Sequence, residues 1–133
     1  MFNEKLLDHF KNPRHAGELA DATARVEVSN PVCGDVLQLA VRVDGTRIRA
    51  VGFKCRGCTT AIACASMTAE MMQDAELKSL TRITAQHLAE LLGGLPEATF
   101  HGAQLAEDAL HALLAALRNA PADSEGSVTP PQH

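Results

Sequence analysis

The feature that most narrows what this chain can fold into is a change of hydrophobic period at residue 58. From Ala24 to Phe53 apolar and polar residues alternate. Val26 and Val28, then Leu37, Leu39, Val41 and Val43, are interleaved with Arg25, Glu27, Gln38 and Arg42. A period of two is that of a half-buried strand. Asp44-Gly45 breaks the run as a two-residue hairpin signal, and Thr46 to Phe53 reads as the returning strand. After Cys58 the spacing turns helical, with Ile62, Ala65, Ala69 and Met72 at steps of three and four. Strands followed by helices predict an α+β domain. Its core is a small three-stranded, mostly antiparallel sheet with helices packed on one face, because alternating strands bury only one side.

The flanking segments complete the layout. Asn3 to Phe10 reads as a short helix with Leu6, Leu7 and Phe10 on one side, ended by Asn12-Pro13. Thr84 is a candidate N-cap for a helix through Leu88, Leu91 and Leu92, which Gly93-Gly94 stops. The last helix is expected to start near Gly102 or Ala103, with Leu105, Ala109, Leu113 and Leu117 as its apolar stripe. Glu107 and Asp108 would sit near its positive end. The domain is expected to span residues 1–119, and the Pro/Ser/Gly-rich stretch 120–133 to be a disordered tail.

Composition excludes several roles. The 133 residues suffice for one core, and 46% hydrophobic content favours folding over disorder. Aromatics are only 3%, with no Trp or Tyr, which argues against a platform for stacking bases. The net charge of -4 without a basic block argues against a nucleic-acid partner. No run approaches the roughly 18 apolar residues of a membrane span, and the N-terminus has no long apolar stretch of the secretory kind. The expectation is a cytoplasmic protein without a membrane partner. In a reducing compartment four Cys point to metal or thiol chemistry before disulfides.

Three positions carry that chemistry. Cys33-Gly34-Asp35 falls between the first two strands, and in an extended segment residues i and i+2 share a face, so thiolate and carboxylate would converge. Gly34-Asp35 also reads simply as a turn. Cys58 lies where the third strand hands over to a helix, whose dipole and free N–H groups stabilise a thiolate; the plainer reading is a small buried thiol. His101 precedes the last helix and could offer an imidazole, although a lone His is more often structural. Cys55 forms a C-x-x-C with Cys58, without the βαβ context of a redox motif. Cys64, six residues after Cys58, falls on another side of the helix, where structural burial is expected.

Asn12-Pro13-Arg14, Asn30 to Asp35, Gly57-Cys58 with Ala61-Ile62-Ala63, and Leu105-Ala106-Glu107-Asp108-Ala109 occur in this order along the chain. Together they resemble the U-type iron–sulfur cluster scaffold proteins, the IscU and NifU N-terminal family, over about residues 3 to 118. The layout is closer to IscU than to the zinc-containing SufU branch, since no long insertion separates Cys58 from His101. The resemblance implies a compact α+β fold and a non-enzymatic role. Such a protein builds a [2Fe–2S] cluster from iron and from sulfur supplied by a cysteine desulfurase, then passes it to apo iron–sulfur proteins. It places cluster binding on Cys33, Asp35 and Cys58, and metal ligation on those three and His101.

The family's third cysteine falls on Gly102, so the implied ligand set is noncanonical. Two thiolates, a carboxylate and an imidazole could supply the four ligands a [2Fe–2S] unit usually takes, and would also suit tetrahedral zinc. Cys55 is a further candidate to replace the missing thiol. Leu95-Pro96-Glu97-Ala98-Thr99 stands where IscU proteins carry a Leu-Pro-Pro-Val-Lys chaperone-recognition segment, which argues against an Hsp70-type partner. Two other roles follow from the departures. One is a zinc-binding sulfur acceptor that assists a desulfurase; the other is a relative that keeps the fold for protein–protein interaction alone.

Overall fold

The expected change of period is where the molecule changes from sheet to helix. The computed structural model describes residues 4–30, 34–95 and 97–119. Cys33, on which one site expectation rests, and the tail 120–133 lie outside the described residues. The elements run α1 (Glu4–Lys11), β1 (Ala24–Asn30), β2 (Asp35–Asp44), β3 (Arg47–Arg56), α2 (Thr59–Met72), α3 (Ala85–Leu91) and α4 (His101–Asn119). The strands form one antiparallel sheet in the order β1-β2-β3.

The alternation sets the buried face. Val26, Leu37, Leu39, Val41, Ile48, Val51 and Phe53 point inward and are almost fully buried. α4 covers β1 and β2, and α2 covers β3 and packs on α4. Leu110 and Leu113 of α4 are wholly enclosed, and each such side chain contributes roughly 1.5–3 kcal/mol by leaving water. β3 is one of the two sheet edges, β1 being the other, and neighbouring chain covers β3 at both ends. Ala16 bridges Phe53, with Gly17 N donating to Phe53 O at 2.8 Å, and Glu76 bridges Arg47. An edge occupied in this way is closed to a foreign strand.

Four details correct the sequence reading. The hairpin loop is Gly45-Thr46, because Asp44 still pairs with Arg47. Gly45 takes the positive φ (66°) that a tight hairpin needs at its first central position. α2 is buried nearly all round, including Ala61, Ala63, Cys64, Ser66 and Thr68, because α1 lies on its other side; the single stripe read from its spacing is too narrow. A short 3-10 helix at Leu77–Arg82 had no sequence signal. α4 begins at His101, with Ala103 N and Gln104 N donating to Phe100 O, so His101 is the first helical residue and does not precede the helix.

Thr84 caps α3 as expected, its hydroxyl accepting from His87 N at 3.1 Å. Glu107 adds a second cap from another helix, its Oε1 accepting from Ala85 N at 2.6 Å. That contact ties α3 to α4 and gives the Glu107 position a structural role.

α1 is held to α2 by a buried polar relay. Arg14 N donates to Ser66 Oγ at 2.8 Å. Ser66 then donates to His9 Nδ1 at 2.8 Å, leaving Nε2–H for Glu70 Oε1 at 3.4 Å. Burial, and then the Arg14 charge, push His9 below its usual value of 6.5, while Glu70 and Asp8 pull it back up. A depressed histidine takes up its proton more readily when unfolded, so its stabilising contribution is complete above about pH 6.5 and fades as pH falls through that value. Urea unfolding between pH 7.5 and 5.5 is expected to show this loss in wild type and less of it in His9→Gln. An identical pH slope in both proteins would assign the loss elsewhere.

Candidate metal centre

Asp35, Cys58 and His101 come from three elements and meet at one corner of the sheet. Asp35 opens β2, opposite Asn30 of β1. Cys58 is the N-cap of α2, with extended backbone (φ -74°, ψ 171°), and its sulfur accepts from Ala61 N at 3.4 Å. The strand-to-helix transition thus aims the thiol along the free N–H groups of the first turn, where negative charge is favoured. His101 opens α4 and reaches across from the other side.

His101 Nε2 lies 3.7 Å from Asp35 Oδ2 and 4.0 Å from Cys58 Sγ. One donor atom from each of the three residues lies within 4.8 Å of the others. In a tetrahedral site the ligand–ligand edge is about 1.6 times the bond length, or roughly 3.3–3.8 Å for bonds of about 2.0–2.3 Å to zinc. The corner is therefore close to ligating dimensions. The Asp35 side chain is 8% exposed and that of His101 29%, so the imidazole is the solvent side of the corner.

An orphaned atom supports the fit. Asp35 Oδ2 is buried and has no hydrogen-bond partner among the described residues. Its nearest cationic candidate is the imidazole 3.7 Å away. A buried carboxylate oxygen without a donor is unusual and costly, and a cation in the corner would satisfy it. The donor chemistry also fits: sulfur, nitrogen and oxygen together suit zinc or iron better than calcium or magnesium.

The other thiols stand apart from this group. Cys55 is half-buried against the core, and burial, followed by the Asp35 and Cys58 charges, pushes its thiol up to about 12. It remains a protonated thiol at neutral pH and does not join the converging donors. Cys64 is fully buried, as expected from its helical phase, and burial likewise pushes it up to about 12. The expectation for Cys33 lies outside the described residues.

Two glycines shape the corner. A Cβ on Gly57 would lie 2.8 Å from Asp35 Cγ, so this glycine makes room for the carboxylate. A Cβ on Gly102 would lie 2.9 Å from Ala61 N. Neither approach has a sequence signal beyond the glycine itself, because the partner atoms are tens of residues away.

A family model described as the NifU-like N-terminal domain matches residues 1–123. The chain belongs to that family. Among curated members, the iron-sulfur cluster assembly scaffold protein IscU 1 of Archaeoglobus fulgidus is 42% identical over 110 residues, covering 83% of this chain and 72% of the relative. The IscU scaffold protein of Aquifex aeolicus is 39% identical over 112 residues, covering 83% and 71%. The crystal structure of a NifU-like N-terminal protein from Brucella abortus superposes with a TM-score of 0.75 at 17% identity, covering 90% of this chain and 95% of that one. Its likeness supports the α+β fold described above. The NifU-like family membership, with relatives named as scaffold proteins, places this chain among non-enzymatic scaffolds of iron–sulfur cluster assembly. No helix among the described residues is long and apolar enough to cross a membrane.

Proposed function

We propose that this protein is a cytoplasmic scaffold or carrier that binds iron and a [2Fe–2S] cluster through Cys33, Asp35, Cys58 and His101. The observation that carries the reading is the convergence of Asp35, Cys58 and His101 at one corner, with a buried carboxylate oxygen that has no hydrogen-bond partner among the described residues. Cys58 would be the sulfur donor at the helix terminus, Asp35 a hard oxygen donor, and His101 the outermost ligand. Cys33, two residues before Asp35, would complete a set of four. Sulfur would come from a cysteine desulfurase, and apo iron–sulfur proteins would receive the product. Leu95 to Thr99 lacks the second proline and the lysine of the chaperone segment, so transfer would proceed without an Hsp70-type partner.

A zinc-binding sulfur acceptor is the second reading. It is favoured by the same mixed donor set, which is near tetrahedral zinc dimensions. Anaerobic reconstitution with iron and sulfide separates the two. Visible charge-transfer absorption with about two irons per chain is expected for the scaffold. A folded protein that stays colourless, retains one zinc and accelerates a desulfurase would establish the second reading instead.

A further inference from the structure

We propose that Thr60 is a positioning residue of the metal centre: its hydroxyl, buried without an acceptor in the metal-free chain, hydrogen-bonds to the Cys58 sulfur once that sulfur ligates a metal. The inference rests on the reading of the corner as a metal site, and not on assembly of a cluster there. Thr60 is fully enclosed, and its Oγ1 has no hydrogen-bond partner among the described residues. Asp35 Oδ2 is the other buried side-chain atom in that condition among them. Both belong to residues around Cys58. Thr60 lies two positions after it, and Asp35 Cγ lies 2.8 Å from where Gly57, the residue before it, would carry a Cβ. A buried polar atom without a partner calls for an explanation, and a bound group that supplies the partner is one.

The rest of α2 shows that the condition is local. Ser66 and Thr68 are the other fully buried hydroxyls of this helix, and both are satisfied. Ser66 pairs with His9 and Arg14. Thr68 Oγ1 donates to Cys64 O at 2.7 Å, the carbonyl four residues back that is the ordinary outlet for a hydroxyl inside a helix. Four residues before Thr60 stands Arg56, the end of β3, so no helical carbonyl is on offer there. The free backbone groups of a first turn are N–H donors, not acceptors. The Thr60 proton must therefore go to an acceptor from outside the helix backbone.

Cys58 Sγ is placed to be that acceptor. It already accepts from Ala61 N at 3.4 Å, and that amide belongs to the peptide link that Thr60 begins. A thiol is a weak acceptor. The sulfur that ligates a metal is a thiolate, and a hydrogen bond to an ionised acceptor is roughly twice as strong as a neutral one. Rotation of the Thr60 side chain toward the loaded sulfur gives it a second donor beside the Ala61 amide and fixes its orientation. α4 closes over the same residue: a Cβ on Gly102, next to His101, would lie 3.1 Å from Thr60 C. The hydroxyl is thereby shielded from water, which would otherwise satisfy it.

The test uses the full chain with zinc and cobalt as probes, without iron or sulfide. Thr60→Val keeps the shape and removes the hydroxyl. In the metal-free state its urea midpoint is expected to equal or exceed that of wild type, because an unpartnered buried group has gone. Its zinc affinity is expected to fall about tenfold, while Thr60→Ser, which keeps the hydroxyl, stays within about twofold of wild type. In the cobalt-loaded Thr60→Val protein the thiolate-to-cobalt charge-transfer band is expected to move to longer wavelength, since the sulfur loses a hydrogen bond. A metal-free Thr60→Val of lower stability with unchanged zinc affinity would reduce Thr60 to packing and overturn the proposal, as would an unmoved cobalt band; the metal site itself would stand in both cases. A wild type that takes up neither zinc nor cobalt would overturn the metal site and this inference together. Should Thr60→Val fail to fold, the Thr60 hydroxyl proton of the wild type decides by NMR. A zinc-induced shift supports the proposal, and an unmoved resonance overturns it. If iron and sulfide yield no cluster while the zinc and cobalt results hold, the scaffold reading fails and the role of Thr60 stands.

Discussion

Cys58→Ser is expected to lower zinc affinity by at least about 100-fold, and to abolish cluster reconstitution, while leaving the fold intact. The sulfur has two jobs that this substitution separates. It caps α2 by accepting from Ala61 N, and on the proposed function it is the soft donor of the corner. Serine is among the best N-cap residues, so the variant is expected to stay within about 0.5 kcal/mol of wild type. What it lacks is a thiolate, and a neutral hydroxyl is a poor ligand for zinc or iron. Loss of a residue that only orients a metal ligand typically costs roughly 10–100-fold in affinity, and loss of a direct donor is expected to exceed that. Chelator competition measures the first quantity and the urea midpoint the second. Binding within about threefold of wild type would remove Cys58 from the ligand set.

Asp35→Ala is expected to move stability and binding in opposite directions. The Asp35 carboxylate is buried and Oδ2 has no hydrogen-bond donor among the described residues, a burden of about 1–3 kcal/mol in the metal-free protein. Replacing it relieves that cost and leaves only a small void beside Gly57. The metal-free variant is expected to gain about 1 kcal/mol, or a rise of about 4 °C in Tm. Its zinc affinity is expected to fall at least about tenfold, because an anionic donor has gone. A residue kept for packing would lose stability on truncation and leave binding alone. A variant less stable than wild type in the metal-free state would count decisively against a strained ligand at position 35. This opposition is the usual mark of a site where local stability is given up for function.

The fold was largely readable because its signals are local. Alternation from Ala24 onward, the glycine near the hairpin, the thiol at the sheet-to-helix junction and the Thr84 cap each depend on neighbours within a few residues. The misreadings came where a distant element intervened. α2 looked one-sided until α1 was placed against its other face. The 3-10 turn from Leu77 is held by Thr46, whose carbonyl accepts from Leu77 N across the chain. Glu107 read as a charge suited to its own helix terminus, whereas its carboxylate caps α3 22 residues away. The relay through Ser66 was invisible for the same reason, since a serine inside a helix gives no sign of a histidine 57 residues earlier.

Chemistry-bearing residue types were legible at the site as well: Asp35, Cys58 and His101 stand out by kind and by position at chain transitions. What sets them apart from Cys55 and Cys64 was not, because it depends on which side chains converge once the chain is folded. Residue order alone was enough for strand, turn and helix, since backbone periodicity is a short-range property. Whether three donors stand 4 Å or 8 Å apart is a long-range property. It was settled only when three distant segments closed on the first turn of α2, with Gly57 and Gly102 in close contact there.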